Sequence, residues 1–145
     1  MTSVTDIVSQ LLPLGKTIYK INKNNKIDSC IDKTLEKKTY PIAVLVNGAS
    51  ASASEILAAS IKESYGGYVV GTPTYGKGTV QQTIPLSSGA MIKVTVENWL
   101  TPDGNWVDTV GIEPTHQVKM EDIYYDEPID ENDTQLQKAL ELVSE

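Results

Sequence analysis

"PIAVLVNGASASASEILAASIKES", residues 41–64, changes character twice. The apolar run 41–47 has the length and β-branched content of a short strand buried on both faces. "SEILAASIKES" then sets Ile56, Leu57, Ser60 and Ile61 on one helical face. "YGGYVVG", 65–71, brings a turn and a second short apolar run. Strand, helix and strand within ~30 residues predict a crossover unit with parallel strands. The alanine–serine run between strand and helix is bracketed too closely to be a free linker.

The flanks fill in around this unit. "TSVTDIVSQLLP" spaces Val4, Ile7, Val8, Leu11 and Leu12 as one helical face, closed by Pro13 and Gly15. "KTIYKINKNNKID" alternates around an Asn-Asn turn and predicts a hairpin. Ser29 to Thr39 is polar and lysine-rich, the pattern of a surface loop. "TVQQTIPL", "SSG" and "AMIKVTVENWL" predict a second hairpin, with Ile92, Val94 and Val96 opposed to Lys93, Thr95 and Glu97. Leu136, Leu140 and Val143 predict a short amphipathic helix at the end.

Bulk properties exclude several classes. The 145 residues carry 40% apolar residues and a mean hydropathy of -0.20, ordinary for one globular domain. No stretch approaches the ~20 apolar residues of a membrane span, and the N-terminus lacks a signal-peptide layout. The net charge of -7 resides in one segment: Glu121 to Asp133 holds seven acids and no base, leaving 12 of each elsewhere. That segment reads as a solvated connector, and no basic stripe remains to bind nucleic acid. Cys30 is the single cysteine and His116 the single histidine, far apart and without ligand spacing, so neither a metal site nor a Cys–His pair is expected.

Scarce histidine also narrows the chemistry open to a serine. A histidine base could only be His116, and no G-x-S-x-G elbow is present. The remaining base is a lysine in its neutral form. Such a base, poised near pH 7 to 8, requires a downward shift of roughly three units, or about 4 kcal/mol, from burial or a nearby cation. Most of the 12 lysines lie in polar runs. Lys77 instead follows a short apolar strand and sits between glycines in "GTPTYGKGT", 71–79. That stretch misses a phosphate-binding loop by one residue, with Gly78 where the hydroxyl belongs, and a strand rather than a helix follows. Among the serines, "SASE", 52–55, has the form of a capping box, so Ser52 is a candidate helix cap. On spacing alone Ser50, Ser52 and Ser54 are nearly interchangeable as nucleophiles.

"AVLVNGASASASE" and "TYGKGTVQ", followed by "IPLSSGAMIKVTVENWLTPDG" and "GIEP", resemble the C-terminal processing peptidases, or tail-specific proteases. The likeness covers most of residues 1–114 and is weakest between 20 and 40. It implies an α/β fold with a crotonase- and Clp-protease-like core, mixed sheets crossed by helices. It implies an ATP-independent serine endopeptidase cleaving proteins near their C-terminal tails, outside the cytoplasm at the cell envelope, without a cofactor. Carried over by residue, Ser52 is the nucleophile, Lys77 the general base, and Gln81 the residue that positions the lysine. The Ala53 N–H is one oxyanion donor, and Asn47, Glu55 and Gly76 hold the bend and the turn. Thr115 stands where the family usually has Asp. The implied partners are proteins or peptides with exposed C-terminal tails; a homo-oligomer is admitted, nucleic acid and metal are not.

The resemblance further implies that a Gly-rich oxyanion loop, a PDZ domain and a signal or anchor lie upstream of this sequence. Residues 1–119 are then part of a peptidase domain, and 120–145 an acidic connector with a short helix. The stretch alone is expected to be a feeble or inactive protease, since losing one oxyanion donor costs ~10²–10³ in rate. A non-catalytic peptide-binding scaffold of the same fold is the alternative; a nucleotide-binding protein built on "GTPTYGKGT" is a further rival.

Overall fold

The computed structural model describes residues 2–34 and 39–144. Helix α1 (Thr2–Ser9) leads into a hairpin of β1 (Thr17–Lys23) and β2 (Lys26–Ile31). Asn24 and Asn25 turn it with φ of 51° and 62°, the left-handed pair that a two-residue hairpin turn demands. The long hairpin of β5 (Thr79–Pro85) and β6 (Met91–Leu100) joins it, giving an antiparallel sheet in the order β2-β1-β6-β5.

A second sheet holds β3 (Ala43–Val46), β4 (Tyr68–Gly71) and β7 (His116–Gln117), ordered β3-β4-β7 and parallel throughout. Helix α2 (Ala53–Ala59) makes the expected crossover and continues as a π-helical turn, Ser60–Tyr65. Its buried Ile56, Ala58 and Ala59 pack with Val8, Leu12, Ile18, Val69 and Trp99 into one core. Two hydroxyls fasten this helix to β1: Ser60 Oγ lies 2.7 Å from the Ile18 carbonyl, and Ser64 donates to that of Thr17. Mixed sheets crossed by helices are the fold expected from the sequence.

Four local expectations are corrected. Ser29, Cys30 and Ile31 belong to β2 rather than to a loop, pairing with Lys20, Tyr19 and Thr17; residues 35–38 of that loop lie outside the described ones. Among the described residues β3 pairs only with β4, and Leu45 is 41% exposed, so the strand is an edge and not buried on both faces. The acidic run contains a short helix α3 (Asp122–Asp126) and a 3-10 turn, Asp130–Asn132, with no buried residue in either.

The final helix α4 (Thr134–Ser144) buries Gln135, Ala139 and Leu142 instead of the leucine face, leaving Leu140 49% exposed. The face is rotated because Ala139 and Leu142 pack beside Val70, while Gln135 Nε2 donates to the Val118 carbonyl at 2.9 Å.

Candidate active site

Two loops leave the carboxyl ends of neighbouring parallel strands, where open α/β sheets form their clefts. Asn47–Ser52 follows β3, and Thr72–Gly78 follows β4. Parallel pairing, with Val46 opposite Gly71, puts both loops at one end of the sheet. The serine run and the lysine turn meet for that reason.

The three serines separate by backbone geometry. Ser50 belongs to the turn: its N–H donates to the Asn47 carbonyl at 2.9 Å and its Oγ accepts the Asn47 N–H at 3.1 Å. Asn47 Oδ1 tightens the same turn by accepting the Ala49 N–H at 2.9 Å. Ser54 is exposed in the first turn of α2. Ser52 alone of the three has φ of 56°, with ψ of -112°. A serine gains nothing from that region on its own, and such strain persists only where the surroundings hold it. It makes a sharp strand-to-helix bend at the helix entry. Ala53 opens the helix, so its N–H has no intrahelical acceptor.

Glu55 holds the bend. It is completely buried and, among the described residues, in no ion pair; four donors converge on its oxygens instead. Oε2 accepts the Ser52 N–H at 2.8 Å and the Lys77 N–H at 2.9 Å. Oε1 accepts the Gly76 N–H and the Thr74 hydroxyl, both at 2.6 Å. Thr74 Oγ1 in turn accepts the Ile112 N–H at 2.7 Å, tying in the "GIEP" segment. The capping box was legible as local pattern; its extension to the lysine turn was not, because those donors lie 19 to 22 residues on.

The lysine turn is close-packed from the other side. Gly76 has φ of 85°, and a Cβ there would meet the Gly111 nitrogen at 2.9 Å. At Gly78 a Cβ would lie 2.4 Å from the Asp108 nitrogen. Trp99, buried under the turn, donates from Nε1 to the Lys77 carbonyl at 2.9 Å, and its backbone N–H donates to Gly78 at 2.8 Å. Neither Trp99 nor Asp108 stood out in the sequence. A strand, β5, follows the turn, which removes the helix a phosphate-binding loop would need.

Ser52, Lys77 and Gln81 line one cleft of about 260 Å³, with Ile56, Thr79, Val80, Lys93 and Trp99. Among the described residues Ser52 Oγ and Lys77 Nζ are not hydrogen-bonded to each other, and the Lys77 side chain is exposed. A second groove on the far side of Lys77 carries Tyr75, Asp108 and Thr109. Ala53 faces a third cavity of about 370 Å³, apolar and lined by Val4, Ile7, Val44, Leu45 and Leu57.

This architecture occurs in solved carboxy-terminal processing proteases. The photosystem II D1 C-terminal processing protease matches with a TM-score of 0.72 and 32% identity, over 81% of this chain and 31% of that one. The tricorn protease, at 15% identity and a TM-score of 0.58, shares the fold. Residues 1–118 match the model of peptidase family S41, and the chain belongs to that family of serine proteases. It is 41% identical over 130 residues to the carboxy-terminal processing protease CtpB of Bacillus subtilis (strain 168), covering 89% of this chain and 27% of CtpB. It is 43% identical over 108 residues to CtpA of the same organism, covering 74% of this chain and 23% of CtpA. The chain thus spans about a quarter of the length of these curated relatives.

Proposed function

We propose that the protein is an ATP-independent serine endopeptidase that cleaves protein chains near their C-terminal tails through a Ser52–Lys77 dyad, working outside the cytoplasm. Ser52 Oγ attacks the scissile carbonyl carbon while neutral Lys77 Nζ takes its proton. The Ala53 N–H, free at the start of α2, donates to the developing oxyanion. Collapse breaks the C–N bond, and the Lys77 ammonium returns the proton to the leaving amine. Water then adds to the acyl carbon while Lys77 takes one of its protons. Collapse breaks the acyl C–Oγ bond, and the Lys77 ammonium returns that proton to Ser52 Oγ as the acid leaves. Gln81 orients the Lys77 amine from the neighbouring strand. The apolar cavity beside Ala53 suits an uncharged side chain next to the scissile bond.

One observation carries this reading. A single buried carboxylate accepts both the Ser52 and the Lys77 backbone N–H, which registers the two residues against each other through their main chains. A scaffold that only bound peptides would have no use for a strained serine registered to a lysine. Among the described residues the two side chains share no hydrogen bond and Lys77 is exposed, so residues 1–145 alone are expected to turn over feebly.

In the full-length protein, Ser52→Ala and Lys77→Ala should each lower kcat at least about a thousandfold on a tail peptide while leaving peptide binding within a fewfold. Cleavage that survives Ser52→Ala returns the chain to the scaffold reading.

A further inference from the structure

The two grooves that flank Lys77 differ in charge. The one away from Ser52 includes an acid, Asp108, whose Oδ1 accepts the Gly78 N–H at 3.1 Å. The cleft that holds Ser52 is lined by two lysines, Lys77 and Lys93, and by no acid. One of these the dyad uses. Lys93 has no role in it.

Its position follows from register. Gln81 lies opposite Thr95, and Thr83 opposite Lys93, in the antiparallel β5–β6 pair. Directly paired residues share a face, and the side-chain period is two, so Gln81 and Lys93 project to the same side. The irregularity between Val80 and Gln81 breaks the alternation expected along β6, where Glu97 instead pairs with Val80. Glu97 meets Lys23 in an ion pair at 2.8 Å. Lys93, on the same strand, has no ion-pair partner among the described residues. Lys93 lines the cleft beside Gln81, where a group that enters the cleft can meet it.

We infer that Lys93 is a specificity residue that pairs with a substrate carboxylate held within a few residues of the scissile bond. This rests on the Ser52–Lys77 reading and deepens it. The carboxylate has two sources, an Asp or Glu side chain of the substrate or the C-terminus of its chain. A neutral substrate leaves the charge of Lys93 in the cleft unanswered, whereas a carboxylate answers it. Both groups are partly solvated, so the preference is roughly two- to fivefold in kcat/KM and weakens with salt.

The test uses the full-length protein and internally quenched peptides that differ only in Glu against Gln at each of three positions on either side of the scissile bond. Each peptide is made with a free and an amidated C-terminus. Wild type should favour one carboxylate form roughly two- to fivefold. Lys93→Gln should bring that ratio near one, Lys93→Glu should invert it, and Lys93→Arg should keep it. Sensitivity to Glu against Gln identifies a side chain, and sensitivity to acid against amide identifies the chain terminus. Equal ratios in wild type and all three variants, with Ser52→Ala inactive, overturn the role of Lys93 and leave the dyad standing. Cleavage that persists in Ser52→Ala instead fails the dyad reading. Circular dichroism on each variant guards against misfolding, which a side chain this exposed does not invite.

Discussion

Around Ser52 and Lys77 the backbone polar groups are tied to buried partners, whereas every residue from Gln81 to Lys93 is exposed. The two regions meet at β5. In the first, Glu55, Thr74 and Trp99 fix main-chain atoms whose own side chains reach elsewhere. In the second, a two-stranded hairpin leaves the body of the fold with solvent on both faces. The difference separates two tasks. Ser52 and Lys77, the proposed nucleophile and base, are placed through main-chain groups held by the buried side chains of Glu55 and Trp99. Gln81 and Lys93, which would address the lysine and the substrate, stand on the part that is free to move.

The clamp is where the comparison breaks most sharply. Glu55→Ala removes the acceptor for four donors at once, and each buried donor left without a partner costs about 1–3 kcal/mol before water or rearrangement recovers part of it. A net loss of about 3–5 kcal/mol is expected, measured by urea or guanidinium unfolding. Glu55→Gln keeps the shape but turns one acceptor into a donor facing donors, and should lose about 1–3 kcal/mol. A loss below about 1 kcal/mol for the alanine variant means the two loops hold their places without Glu55.

Trp99→Phe sharpens the same point from beneath. It preserves most of the buried ring and deletes the Nε1 donor to the Lys77 carbonyl. About 1–2 kcal/mol should go, from one hydrogen bond and a slightly smaller ring. A positioning role predicts that the full-length enzyme also loses kcat with little change in KM, while a purely packing role leaves kcat alone.

How much of this was legible in the sequence depends on how far apart the partners lie. The Asn24–Asn25 turn and the crossover helix are local, each dictated by a few neighbouring residues and their allowed dihedrals, whereas Gly76 and Gly78 are required by the distant Gly111 and Asp108. The run 43–46 carries no sign of its edge position, since "AVLV" reads the same with one neighbour or two. The face of α4 misled because Leu136 and Leu140 recur with the right period, one step away from the true face at Gln135 and Ala139. Val70 and the Val118 carbonyl, both far along the chain from this helix, make that face the buried one. At the site, spacing left three serines open. The resemblance chose Ser52, and the positive φ there is a second, independent distinction that no pattern of alanines and serines could display.

The smallest effect belongs to the hairpin. Ile84 and Ile92 face each other across β5 and β6 but remain 41% and 44% exposed. An apolar cross-strand pair contributes roughly 0.2–1 kcal/mol to local pairing, and an isolated hairpin is marginal by itself. If the hairpin opens apart from the core, replacing both with serine should move global stability by no more than about 0.5 kcal/mol. Amide exchange at residues 82–93 should then be much faster than in α2, and faster still in the double variant, with α2 unchanged. A loss above about 1.5 kcal/mol would merge the regions into one cooperative unit. Gln81 and Lys93 would then be held as firmly as the clamp itself.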